Sequence, residues 1–166
     1  MLPLGTILHP TDFSEHSEFA FRVASSLARD YNARLILLHV IPPPMVIYAG
    51  GPVPAETWPS VEEVKESLRK MEGQTHGIRV ESQVLEGDPV DMILRAAEET
   101  HSGVIVMSTH GRTALSRLLL GSVAESVIRK APCPVLTAKP VLGWKKAVEE
   151  SKANEEAGIA VGAHAE

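Results

Sequence analysis

Two short segments of this chain combine residue types suited to holding an anion. Pro10-Thr11-Asp12-Phe13-Ser14 puts a carboxylate and two hydroxyls into five residues, and Met107-Ser108-Thr109-His110-Gly111 is followed by Gly121-Ser122. The second segment has the parts of a phosphate cradle. It offers a small residue where a strand ends, a glycine that lets backbone amides approach, and Gly-Ser at a helix start, where N–H groups and the positive dipole end attract negative charge. Arg112 and Arg117 lie in the intervening loop and suit a polyphosphate, while Ser122 adds a hydroxyl. Gly-Ser also precedes helices that bind nothing. What favours the cradle is its place, after an apolar strand and before an amphipathic helix. Asp12 suits two roles, capping the first helix or contacting a ligand, and the sequence leaves both open.

Other chemistries lack their parts. The chain has no Gly-x4-Gly-Lys-Ser/Thr loop, no close copy of Gly-x-Gly-x-x-Gly and no Gly-x-Ser-x-Gly elbow, so common NTPase, dehydrogenase and serine-hydrolase plans are missing. His110 is the candidate base of the loop, although a loop histidine more often only hydrogen-bonds. The histidines at 9, 16, 39, 76, 101 and 164 do not fall at metal-ligand spacing, and no structural metal is expected. Tyr48 and Trp58 offer rings able to stack on a base, or to pack locally. Cys133, between two prolines, reads as a packing residue.

These segments need a frame, and the apolar pattern supplies one. Short apolar runs alternate with helix-like stretches, the pattern of a parallel α/β sheet buried on both faces. Strand one opens at Thr6-Ile7-Leu8, strand two spans Leu35 to Ile41, strand three Ile78 to Leu85, strand four Val104 to Met107 and strand five Val135 to Thr137. Strand three alternates most and belongs at an edge. Phe19, Ala20, Val23, Ala24, Leu27 and Ala28 form an apolar stripe on a first helix over 14–31, with Ser14 as its N-cap. Ser60-Val61-Glu62-Glu63 reads as a capping box, and Asp88-Pro89 as a cap followed by proline at the first helical position. A fourth helix follows Gly121-Ser122 with Val123, Ala124, Val127 and Ile128 as its buried face, and ends at Ala131-Pro132. In an open sheet of this kind ligands lie beyond the carboxyl ends of the strands, where strand order reverses. If strands one and four are neighbours across that point, both anion-suited segments line one crevice.

Composition bounds the partners. The 166 residues are 44% hydrophobic and 22% charged, enough for one well-buried domain. A net charge of -5 argues against a nucleic-acid binder, which needs clustered Lys and Arg. One cysteine, no signal-like N-terminus and no long apolar run point to a soluble, cytoplasmic protein with no membrane partner. Six prolines between Pro42 and Pro59 mark a long irregular connection, and residues 141–166 read as a tail, partly disordered or with a short helix.

The motifs together resemble the universal stress protein family, over about residues 4–139. The resemblance rests on Pro10-Thr11-Asp12-Phe13-Ser14, His39-Val40 closing strand two, Ser108-Thr-His-Gly-Arg-Thr through Gly121-Ser-Val-Ala-Glu-Ser-Val, and Ala131-Pro-Cys-Pro-Val-Leu before strand five. It implies a three-layer α/β sandwich, Rossmann-like and of the adenine nucleotide alpha hydrolase-like kind. Its parallel sheet has five strands in order 3-2-1-4-5, within a domain spanning 1–140. It further implies a homodimer paired through strand five. ATP-binding members carry Gly-x2-Gly-x9-Gly-Ser/Thr, which this chain matches at Gly111, Gly121 and Ser122 but not at Ser108, where the first glycine is replaced. By similarity Asp12 hydrogen-bonds the nucleoside, Pro10 and Thr11 belong to the same nucleotide site, and the backbone near Val40 meets the adenine edge. Met107 packs nearby, Ser108 stands where the ligand backbone or ribose passes closest, and Thr109, His110, Gly111 and Arg112 wrap the phosphates, joined by Gly121, Ser122 and Val123.

The expectation is thus a dimeric regulatory module of the stress response that binds an adenine nucleotide, ATP first, with Mg2+ held through the phosphates, and acts on a protein partner the sequence does not name. Two alternatives remain: a dimeric adaptor without a nucleotide, supported by Ser108, and a slow ATPase or self-phosphorylating protein. The last ranks lowest, because no residue is an obvious activator of water.

Overall fold

The computed structural model describes residues 4–43, 59–109, 120–140 and 143–146. Along these the chain runs β1 (Thr6–Pro10), α1 (Glu15–Asp30), β2 (Arg34–Ile41), α2 (Val61–Glu72), β3 (Arg79–Glu86), α3 (Pro89–Glu99), β4 (Val104–Ser108), α4 (Ser122–Lys130) and β5 (Val135–Ala138). The five strands form one parallel sheet in the order β3-β2-β1-β4-β5, with β3 at an edge as its alternation requires. Strand order reverses between β1 and β4, where the chain segments leaving two neighbouring strands turn toward opposite sides.

Because side chains alternate along a strand, each strand feeds two cores. Ile7, Leu35, Leu37, Val104 and Val106 pack beneath α1 and α2, with Phe21, Ala24 and Leu68 from the helices. Leu8, Ile36, Leu38, Ile105 and Met107 pack on the other face against Ile93, Ala96, Ala124 and Val127 of α3 and α4. Helix starts follow local chemistry. Ser14 accepts from the Ser17 amide, Ser60 and Glu63 form the reciprocal capping box, and Asp88 accepts from the amides of Val90 and Asp91.

Two helix faces differ from the sequence expectation. On α1 the buried set is Ser17, Ala20, Phe21, Ala24, Ser25 and Ala28, so the inward face is rotated toward Phe21. Phe19 instead lies on the flank, where the buried Trp144 meets it edge-on at 5.2 Å. Arg22 and Lys145 each lie 5.7 Å from the Trp144 ring, and Lys145 reaches Glu15 at 3.3 Å. Trp144 and Lys145, beyond β5, therefore pack on α1. On α4, Ala124 and Val127 are buried but Ile128 is 43% exposed, because it sits a further 100° or so around the helix from Val127 and leaves the core stripe.

Gly87, between β3 and α3, has φ +147, a region other residues rarely enter, and its amide donates to Ile41 O at 3.0 Å. A Cβ there would meet Met92 Cγ at 3.1 Å. Gly87→Ala is expected to cost on the order of 2 kcal/mol, read as a lower urea midpoint with an unchanged slope.

Candidate functional site

The β1–β4 ladder stops short where the order reverses, and a missing amide is the cause. Pairing of β1 with β2 continues to Pro10–Leu38 and pairing of β4 with β5 to Ser108–Ala138, but β1 and β4 pair only at Ile7–Val104 and Leu8–Ile105. In a parallel strand successive residues turn their amides to opposite neighbours. The Thr11 amide donates to Leu38 O on β2 at 2.8 Å, so position 10 faces β4, and Pro10 has no N–H to give. The Val106 carbonyl is served by a side chain: His9 Nδ1 lies 2.8 Å from Val106 O. A carbonyl can only accept, so Nδ1 carries the proton and Nε2 is bare.

His9 is fully buried on the α1 side, its ring 6.0 Å from that of Phe21, and its Nε2 finds no partner among the described residues. Burial lowers its pKa from 6.5 to about 4, with the Val106 bond and then the charge of Asp12 pulling the other way.

The strand-one segment leaves the sheet through a tight turn. Phe13 has φ +61, a strained value for a bulky side chain. The turn is braced by its own side chains: Thr11 Oγ1 accepts from the Phe13 amide at 3.1 Å and from Ser17 Oγ at 2.9 Å, and Asp12 Oδ1 accepts from the Ser14 amide at 3.0 Å. Ser14, not Asp12, caps α1, so of the two roles open to Asp12 the cap belongs to its neighbour. A second histidine holds the other side. His39 Nδ1 donates to Thr11 O at 2.8 Å and its ring stacks on Phe13 with centroids 4.6 Å apart. Val40 follows directly, two residues past the last β1–β2 pair, so its half-buried backbone stands beyond the end of β1.

Opposite, Met107 is buried in the α3–α4 core, while Ser108 and Thr109 end β4 half-buried. Alternation places the Ser108 side chain on the face of Val106, away from α4. The amide of Gly121 donates to Thr109 O at 2.8 Å, closing the neck of the loop between them. Gly121 is the N-cap of α4 and makes no side-chain cap bond, Ser122 is exposed, and Val123 packs on the core. The Gly121 φ of -61 and ψ of 144 are open to any residue, so the turn itself does not require a glycine. His110, Gly111, Arg112, Arg117, Tyr48 and Trp58 lie outside the described residues. The structure thus gathers Pro10, Thr11, Asp12, Val40, Met107, Ser108, Thr109, Gly121, Ser122 and Val123 at the carboxyl end of the sheet. His9 and His39 hold the frame; the sequence weighs His9 only as a metal ligand, and His39 beyond that only as part of the motif closing strand two. The signal that finds them is a polar ring inside an apolar strand, in His9 next to a proline.

Cys133 stands apart. Burial raises its thiol above the ordinary value, opposed by a backbone bond with Ile105, so it is a protonated packing residue. Among the described residues no helix is long and apolar enough to cross a membrane.

A parallel sheet covered by helices on both faces, whose strand order reverses between β1 and β4, is a doubly wound α/β fold. Within that class the universal stress protein family model matches residues 3–139, and this chain belongs to that family. It is 37% identical over 141 residues to universal stress protein MJ0531 of Methanocaldococcus jannaschii, covering 80% of this chain and 81% of that one. The solved structure of MJ0577, a universal stress protein from the same organism, aligns with TM-score 0.69 at 30% identity, covering 84% of this chain and 99% of that one. A universal stress protein from Archaeoglobus fulgidus in complex with dAMP aligns with TM-score 0.60 at 26% identity over 84% of this chain and 100% of that one.

The buried, neutral His9 has a consequence for stability. Between pH 6.5 and about 4 the unfolded chain binds a proton that the folded chain refuses, so stability is full above 6.5 and falls as pH drops through this window. The loss attributable to His9 between pH 7.5 and 5 is about 2 kcal/mol. Unfolding free energies from urea titrations at the two pH values should differ by that much less in a His9→Asn protein.

Proposed function

We propose that this chain binds an adenine nucleotide, ATP foremost, across the β1–β4 crevice and serves as a dimeric regulatory module. The observation that carries the reading is the end of the β1–β4 ladder before Pro10. It leaves Thr11–Asp12 and Val40 on one side and the Thr109–Gly121 neck with the start of α4 on the other, at the ends of neighbouring strands. The complex of the Archaeoglobus relative with dAMP supports an adenine nucleotide as the ligand. The nucleoside lies against Thr11, Asp12 and the Val40 backbone. The phosphates meet Thr109, Ser122 and the first turn of α4, whose dipole favours negative charge, with His110, Gly111 and Arg112 from the intervening loop. Ser108 directs its side chain away from α4, which supports retained binding despite the missing glycine.

Among the described residues no cluster of carboxylates and histidines stands ready for a metal. A magnesium ion would arrive with ATP, held through its phosphates. Bound nucleotide favours one arrangement of the 110–120 loop, and the surface shown to a protein partner changes with it. The reading tested against this one is an adaptor without nucleotide.

Calorimetric titration with ATP, ADP, AMP and cyclic AMP, with and without Mg2+, tests the ligand. Micromolar binding of ATP that is lost in Gly121→Val is the expected result, since position 121 accepts valine conformationally and only access to the cradle is blocked. No binding to any of the four leaves the adaptor.

The β5 edge supports a dimer there: Leu136 is 40% exposed on this edge strand and Ile128 of α4 is exposed as well. Sedimentation should show a dimer for the parent and a monomer for Leu136→Asp.

A further inference from the structure

We propose that His9 is a positioning residue for the crevice, its Nδ1–H standing in for the amide that Pro10 lacks and so setting how far the Met107–Thr109 end of β4 lies from Thr11–Asp12. Three observations carry this. The β1–β4 ladder stops at Leu8–Ile105 although both strands continue. The strand residue whose amide should come next toward β4 is a proline. The carbonyl left over, Val106 O, is met at 2.8 Å by a fully buried imidazole.

A backbone amide draws neighbouring strands to ladder spacing, whereas an imidazole reaches out from Cβ and holds the same carbonyl with the two backbones parted. The two segments that face the ligand leave the sheet immediately beyond this contact, so the imidazole's length is built into the width of the opening. Only the functional consequence rests on the nucleotide reading; the placement of β4 is a property of the ligand-free protein.

Four proteins test it: the parent, His9→Leu, Pro10→Ala and the double variant. In the double variant the alanine at position 10 brings back the N–H aimed at Val106 O. Amide hydrogen exchange is followed without ligand at Met107, Ser108, Thr109 and Gly121, with Leu35 to Leu37 as the reference, and ATP affinity is measured by calorimetry. In His9→Leu, exchange at the four amides is expected to rise by about tenfold, the scale of one net hydrogen bond, with the reference unchanged and ATP affinity down by a similar factor. In the double variant both values should return to those of Pro10→Ala.

Equal acceleration at all sites would mean that His9 only fills space, and the proposal falls. It falls equally if His9→Leu exchanges and binds like the parent, or if adding Pro10→Ala to it rescues neither value. Should His9→Leu not fold alone, the double variant is compared with Pro10→Ala. Matching values then support the replacement, and faster exchange at the four amides of the double variant overturns it. If the parent binds no adenine nucleotide while the exchange pattern is as expected, the nucleotide reading fails and the placement of β4 by His9 stands.

Discussion

The hydrogen bond from His9 Nδ1 to Val106 O is the contact on which the functional end of this molecule depends. A carbonyl inside a sheet must be satisfied, and leaving it without a donor costs roughly 1–3 kcal/mol. Proline at position 10 removes the donor that a regular ladder provides, and the neighbouring imidazole restores it from a longer reach. The β1–β4 ladder is regular up to this level and ends there. Burial keeps the ring neutral, as a ring that must leave one nitrogen bare in an apolar core has to be.

The other side of β1 is secured in a parallel way. His39 reaches from β2 to Thr11 O and lays its ring on Phe13, whose left-handed backbone is the strained point of the turn. Stacking, the Thr11 and Asp12 side-chain bonds and the Ser14 cap together hold a conformation that Phe13 alone would not adopt. Two buried imidazoles thus flank one strand end, each gripping a backbone carbonyl. Across the reversal, Thr109 is tied to Gly121 by the Gly121 amide. Trp144 adds a further brace, because its packing on Phe19 and Arg22 ties the chain after β5 to the helix that begins at this turn.

Much of the frame was legible before any coordinates. Ser14, Ser60 with Glu63, and Asp88 with Pro89 mark helix starts by local hydrogen-bond chemistry, and that chemistry does not depend on the rest of the fold. The alternation of strand three reflects its edge position, and the strand ends fall within a residue or so of the apolar runs. The inward face of α1 was less legible. Phe19 and Phe21 are both apolar, and which one meets the sheet depends on the azimuth at which the helix settles on β1 and β4.

The sequence by itself determined the element order, the caps and the two segments at the crevice, because each is encoded in residues a few positions apart. Tertiary structure alone decided that Val106, 97 positions after His9, would lose its sheet partner to a proline and take an imidazole instead. It likewise decided that Gly121 would spend its amide on Thr109, that Ile128 would face outward, and that Trp144 would cover Phe19. In each of these the partner is chosen by which strand or helix lies alongside, and that information exists only once the chain has packed.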